Sequence, residues 1–346
     1  MIALVFMLAC NTPGIAPTQP SDLLATLSAS TPLSGNVPST LNAAQTPTSA
    51  FDLFPPISST LTVPTSSSAN QPIGKIVFTC QIFKAQASDQ VCIINADGTG
   101  FRRLTADSNR QNYYPSLAPD GKSVVYAAFR TENIYEIYEM DIATGDVKQL
   151  TNRLGILNAP EISPNGKSII FKQSIVNNNK NLIWIMDRNG QNAENIARTA
   201  VGWDPTWSPD GKYILFASDM DGPVQLYTIR VNGKELHQVS NLPAIRGRSD
   251  WSPDGKFIIT YSGEPWKREV YIMNADGTNA RVLSPAGGNS QGPSFSPDGQ
   301  WVAFTAYYDK LGDDNGCEIY IVRVDGTDLR RLTNNDYCDY QSRWGL

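Results

Sequence analysis

A chain of 346 residues, 41% hydrophobic and 10% aromatic, can bury one large all-β core or two ordinary ones. Its formal net charge of -5, with no concentrated basic run, speaks against a nucleic-acid partner, because gripping a phosphate backbone takes a positively charged surface. The single histidine, His237, excludes a multi-histidine metal centre, and no other residue could serve as the base of a Ser-His-Asp mechanism.

Composition breaks near residue 72. Residues 1–74 contain no Lys or Arg and only two acids, Asp22 and Asp52, whereas all seven Trp lie beyond them. The opening run Met1–Ala9 is apolar and closes on Cys10, which Asn-Thr-Pro-Gly follows. An apolar segment ended by a small residue and Cys resembles a bacterial lipoprotein signal. That resemblance implies diacylation of Cys10, export to the cell envelope (periplasmic or outer surface) and attachment to a membrane through an N-terminal lipid anchor. The basic n-region of such signals is missing, and the cleavage box reads Met7-Leu8-Ala9-Cys10. Nine apolar residues are too few for a membrane-spanning helix. Residues 11–72 are rich in Pro, Ser and Thr and gain too little from burial to offset their ordering entropy, so a disordered tether is expected. A flexible chain of that length has an r.m.s. span on the order of 45 Å.

From residue 73 onward an internal period takes over. One phrase recurs as Leu117-Ala-Pro-Asp-Gly-Lys122, Ile162-Ser-Pro-Asn-Gly-Lys167, Trp207-Ser-Pro-Asp-Gly-Lys212, Trp251-Ser-Pro-Asp-Gly-Lys256 and Phe295-Ser-Pro-Asp-Gly-Gln300, at spacings of 45, 45, 44 and 44. A further apolar start, Trp344, follows 49 residues after Phe295. Between copies lies a second phrase, clearest as Asn95-Ala-Asp-Gly-Thr99, Asn274-Ala-Asp-Gly-Thr278 and Val324-Asp-Gly-Thr327. A third ends each unit: Arg103-Leu-Thr105, Gln149-Leu-Thr151, Val282-Leu-Ser284 and Arg331-Leu-Thr333. Asp-Gly and Asn-Gly supply the positive φ that tight hairpins need, and alternating runs such as Ser123–Phe129 and Glu318–Val322 read as strands. Each unit is therefore four short antiparallel strands, and such sheets must stack to bury their faces.

The combination Trp-Ser-Pro-Asp-Gly-Lys, Ile-Tyr-x-Met, Asp-Gly-Thr and Arg-x-Leu-Thr resembles the WD-like propeller repeat of the TolB-like family, over residues 75–346. The expected fold class is all-β: a six-bladed β-propeller of four-stranded antiparallel blades, preceded by the tether. Residues 75–105 supply only the last three strands of a unit, and the missing first strand is read as Ser342–Leu346, so the C-terminal strand is expected to close the ring. The domains are then 1–10, signal; 11–72, linker; and 73–346, propeller.

Little in the repeat looks catalytic. His237 aligns with Arg102, Lys148, Arg281 and Arg330 in the outermost strand, a solvated place, and the Arg pairs 102–103 and 330–331 read likewise. The Asp of each Pro-Asp-Gly reads as turn chemistry. The loop 307–316 offers Asp309, Asp313, Asp314 and Asn315, but lacks the spacing and final Glu of a calcium loop and reads as a polar hairpin. Neither metal nor cofactor is expected. Cys80 and Cys92 share one hairpin of the first blade; Cys317 begins the third strand of the last blade and Cys338 lies in the crossover after it. Four cysteines allow three pairings or free buried thiols; in an exported chain the bridges Cys80–Cys92 and Cys317–Cys338 are expected.

Strand direction places the short, uniform turns on one face and the longer, variable loops on the other, where recognition is usually found. That face carries Tyr113, Tyr114, Trp203, Asp204, Arg246, Arg248, Trp266, Tyr307, Tyr308, Tyr337, Tyr340 and Arg343, of the types that dominate interfaces. The resulting expectation is a monomeric, non-catalytic envelope protein that binds a protein or envelope polymer through this face. The alternative is a carbohydrate-binding or carbohydrate-cleaving propeller working at the channel mouth. TolB itself carries an extra N-terminal α/β domain, where this chain has a tether.

Overall fold

The computed structural model describes residues 71–81, 88–106, 110–131, 134–175, 180–196, 201–312 and 316–346; Cys10 and the linker expectation lie outside them, as do Asp313, Asp314 and Asn315. Among the described residues there is no α-helix. The strands come in successive groups. First are β1 (Lys75–Gln81), β2 (Asp89–Asn95) and β3 (Arg102–Arg103). Next are β4 (Asn112–Leu117), β5 (Ser123–Thr131), β6 (Ile134–Asp141) and β7 (Val147–Gln149), then β8 (Ile156–Ile162), β9 (Ser168–Ile175), β10 (Lys180–Asp187) and β11 (Glu194–Asn195). They are followed by β12 (Trp203–Trp207), β13 (Tyr213–Ser218), β14 (Gln225–Arg230) and β15 (His237–Gln238), and by β16 (Asp250–Trp251), β17 (Phe257–Ser262), β18 (Glu269–Asn274) and β19 (Arg281–Val282). The last are β20 (Gln291–Phe295), β21 (Trp301–Ala306), β22 (Glu318–Arg323), β23 (Arg330–Arg331) and β24 (Asp339–Gly345).

Four sheets have four strands each, in the orders β24-β1-β2-β3, β12-β13-β14-β15, β16-β17-β18-β19 and β20-β21-β22-β23. A fifth has eight, because the antiparallel runs β4–β7 and β8–β11 touch through one parallel pair, Tyr135 opposite Ile156. The strand missing from the first unit is β24, which pairs antiparallel with β1 and places Trp344 opposite Ile76. It begins at Asp339, three residues before the expected Ser342, since the register carries on to Cys80 opposite Asp339.

The repeated phrases become specific hydrogen bonds. In Ser208-Pro-Asp-Gly-Lys212, the Ser208 hydroxyl donates to Asp210 Oδ1 (2.7 Å) and accepts from Tyr213 N (2.9 Å), while Asp210 Oδ1 accepts from Lys212 N (3.0 Å). Gly211 sits at φ 67°, where a Cβ is disfavoured. In every unit but β8–β11, which ends Asn195-Ile196-Ala197, a closing hydroxyl clasps the third strand: Thr105, Thr151, Ser240, Ser284 and Thr333 accept from the N–H of Val91, Ile137, Leu226, Val270 and Ile319 at 2.8–2.9 Å. Thr151, Ser240 and Thr333 in turn donate hydrogen bonds to side-chain oxygens of Glu136, Gln225 and Glu318. Leu-Thr and Pro-Asp-Gly are therefore architecture, as the turn reading of the Asp residues holds.

The core lies between sheets, not within them. One cluster joins Val77, Val91 and Ile93 of the first unit to Val124 and Tyr126 of the next, and others join each unit to its successor. Another returns from the last unit to the first, packing Trp301, Ala303, Ile319 and Ile321 against Ile76, Phe78, Ile94 and Trp344. Burying a side chain such as Ile76 or Phe304 (each 0% exposed) contributes about 1.5–3 kcal/mol.

The bridges Cys80–Cys92 and Cys317–Cys338 are both formed, with Cα separations of 5.9 and 4.5 Å. The first crosses β1 and β2 diagonally, since Cys92 faces Phe78 and Cys80 faces Gln90. The second ties the residue before β22 to the residue before β24, and Asp339 N donates to Cys317 O at 2.8 Å.

Candidate functional site

The innermost strand of each unit carries the site. At the same repeat position the backbone is left-handed, at Tyr114 (φ 51°), Ala159 (φ 50°), Asp204 (φ 51°), Gly292 (φ 60°) and Gln341 (φ 58°). The pairing slips there in β4, β8, β12 and β20, and beside it in β24. A bulge with a left-handed residue re-aims side chains, and for a non-glycine it is a strained conformation that packing must impose. The result is a channel lined by polar groups.

Two places after the bulge, just before the apolar residue of each repeat, stand Ser116, Glu161, Thr206, Asp250, Ser294 and Arg343. They stitch the units together. Glu161 Oε1 accepts from Thr206 Oγ1 (2.9 Å) and Trp207 N (3.0 Å), and Asp250 Oδ2 accepts from Ser294 Oγ (2.8 Å) and Phe295 N (3.0 Å). Arg343 of β24 reaches both acids, at 3.3 Å from Glu161 and 3.8 Å from Asp250, and donates to Ser249 O at 3.1 Å. Burial pushes the Glu161 carboxyl up, with Arg343 opposing it.

Above this layer Arg248 donates through Nη2 to Gln341 O (3.1 Å) and Ser342 O (3.3 Å), and its carbon Cζ lies 5.6 Å from the Tyr114 ring centre. Its main-chain N–H donates to Asp204 Oδ2 at 3.0 Å. Burial, then repulsion from Arg343, pulls the Arg248 guanidinium down to about 10. Lys172 on β9 is only 4% exposed; burial lowers its amine and Asp204 opposes the shift. A cavity of about 10 Å³ lies among Tyr114, Ala159, Pro160, Glu161, Asp204, Pro205, Arg248 and Arg343.

Tyr114, Asp204, Arg248 and Arg343 are thus brought together, but as a channel filling. Arg248, Arg343, Tyr340 and Tyr307, expected on the exposed face, are buried at 5%, 7%, 7% and 1% exposure. Inner-strand residues point toward the other sheets, which the loop argument did not take into account. The remaining candidates are scattered round the rim. Tyr113 meets Tyr135 at 6.0 Å and donates to Gln111 Oε1; burial and the nearby Asp89 raise its hydroxyl. Half-buried Trp203 donates to Arg246 O at 3.4 Å, and Arg246 pairs with Glu264 at 3.0 Å. Trp266 sits edge-on to Tyr307 at 5.1 Å, over the cluster of Tyr307, Tyr340, Cys317 and Cys338. Tyr308 donates to Pro285 O at 2.7 Å, Tyr337 is half-buried, and Asp309 accepts from Tyr320 at 3.2 Å. His237 is exposed on β15.

Glu161, Asp250 and Lys172 were not singled out from the sequence. The column preceding each repeat's apolar residue holds only Ser, Glu, Thr, Asp and Arg, never an apolar side chain, and that pattern would have found the first two. At the strand starts of the first sheet, in β2 and β24, burial raises two further carboxyls, Asp89 to about 7 and Asp339 to about 8, the latter also repelled by Glu318.

Stacked four-stranded antiparallel sheets whose inner strands surround a polar channel define a β-propeller domain. Within that class the chain belongs to the TolB beta propeller domain family, whose model matches residues 73–345. Among solved structures it is similar to TolB from Acinetobacter baumannii, at 24% identity and TM-score 0.67 over 79% of this chain and 66% of that one. It is also similar to a candidate TolB from Agrobacterium tumefaciens (17%, TM-score 0.60, 79% and 99%) and to the hydrazine synthase of Kuenenia stuttgartiensis (15%, TM-score 0.63, 79% and 46%). At these identities the likeness is one of fold. No curated protein matches the chain in sequence.

Proposed function

We propose that the chain is a six-bladed, non-catalytic propeller of the cell envelope that binds a protein or envelope polymer through its variable-loop face. The six-blade reading is supported by the twenty-four strands among the described residues and by the core cluster that returns from the last unit to the first. The binding reading rests on one observation. The rim keeps large aromatic and cationic side chains partly exposed, on loops (Arg246, Trp266, Tyr308, Tyr337) and at the starts of inner strands (Tyr113, Trp203), while the channel behind them is filled by its own charges. Aromatic and Arg side chains on a rigid scaffold are the usual anchors of a protein interface. The two disulfides are those of a protein made in an oxidising, exported setting. Residues 1–10 as a signal, Cys10 as the acylated residue and 11–72 as a tether belong to the same proposal.

The test is crosslinking of the full-length chain in its native envelope, followed by purification. Trp203→Ala and Arg246→Ala are expected to lose the captured partner, or binding to isolated wall polymer, while keeping the wild-type far-ultraviolet dichroism; Trp203→Ala also lowers Tm, since Trp203 packs on a core cluster. Equal capture by wild type and both variants would sink the assignment to this face. Binding or cleavage of glycans would instead favour the carbohydrate alternative. Loss of a metabolic fatty-acid label in Cys10→Ala is the expected result for the anchor.

A further inference from the structure

The channel holds two guanidiniums in different electrical situations. Arg343 has carboxylates within 4 Å, at Glu161 and Asp250. Arg248 has none among the described residues: Nη2 is taken by two neutral carbonyls, and Nε, buried, has no acceptor. A buried charge ordinarily has a counter-ion, because desolvation without one costs several kcal/mol. The acids nearby are turned to other work. Asp204 Oδ2 accepts the Arg248 main-chain N–H, and Glu161 is shared among Thr206, Trp207 and Arg343.

We propose that the cavity beside Arg248, Arg343 and Tyr114 is a binding site for one small monovalent anion of chloride size, held chiefly by Arg248 Nε. The space, about 10 Å³, is at the lower limit for a single water-sized body, so a chloride needs its lining to give slightly, and a sulfate or a free carboxylic acid is too large. A water there would give Nε an acceptor but bring no negative charge into contact with Arg248, which Asp204 and Glu161 offset only from beyond ion-pair distance and which Arg343 repels. The anion answers both.

Two measurements on the full chain test this. In crystals grown in sodium bromide, an anomalous peak within hydrogen-bond distance of Arg248 Nε is expected. In solution at fixed ionic strength, exchanging gluconate for chloride is expected to raise Tm by a few degrees along a saturating curve, because the ligand binds only the folded state. Arg248→Gln is expected to abolish that curve. The proposal is overturned by an ordered water with no bromide, or by a Tm equal in chloride and gluconate. Bromide density without a halide-dependent Tm marks an adventitious ion only and overturns it too. Should Arg248→Gln fail to fold, the wild-type titration and the bromide map still decide.

Discussion

Lys172 occupies a repeat position that elsewhere holds Thr79, Ala127, Ala217, Tyr261 and Thr305. Its buried amine has no hydrogen bond or ion pair among the described residues, and its proton affinity is lowered by burial. The unfolded chain, whose amine has the ordinary value of 10.5, therefore binds more protons than the native state just below that pH. Stability should rise with pH toward 10.5, and Lys172→Met should remove the rise and add about 1–2 kcal/mol near neutral pH, as read from urea unfolding at several pH values. Asp89 and Asp339 act with the opposite sign. Their native values of about 7 and about 8 exceed the ordinary 3.8, so their contribution is complete below 3.8 and is lost as pH rises through 7 to 8. Asp339→Asn should flatten that loss; an unchanged slope would show that other groups cause it.

Among the elements, β24 carries the largest share of the architecture. It supplies the innermost strand beside β1, brings Arg343 and Trp344 into the channel and core, and is tied at its start by Cys338. Removing residues 339–346 should abolish the folded state instead of trimming one strand, seen as loss of the thermal transition. Cys317→Ser combined with Cys338→Ser should cost about 3 kcal/mol by the loop-entropy relation for a separation of 21 residues. The clasping hydroxyls are the second structural device. Thr151→Val should cost about 1–3 kcal/mol, because it strands the Ile137 N–H and a Glu136 oxygen.

For the molecule as a whole, the proposed ring gives every sheet two neighbours. Losing any one interface then exposes faces on both sides, so far-ultraviolet dichroism and Trp fluorescence should report one coincident unfolding transition. Two separated transitions would mean that an arc of sheets unfolds alone. In the proposed function the same closure leaves recognition to the rim, where loops of differing length project from a common frame.

Much of this could be read from the residues alone. The Pro-Asp-Gly period located the hairpins, alternation located the strands, and the three-strand unit at residues 75–105 called for a partner at the C-terminus, which Trp344 and its neighbours supply. The hairpins are local features that turn stereochemistry sets, and the C-terminal partner is legible because the repeat is incomplete at its first unit. The pairing of Cys80 with Cys92 followed from sharing a hairpin. The sequence could not show which side chains of the inner strands see solvent. Alternation assigns a residue to one face of its own sheet, but only the packing of six repeated segments, each 44 to 49 residues from the next, decides whether that face meets water or another sheet. For that reason Arg248, Arg343 and Tyr340 read as rim contacts and proved to be buried, and Lys172 passed unnoticed until its surroundings were assembled.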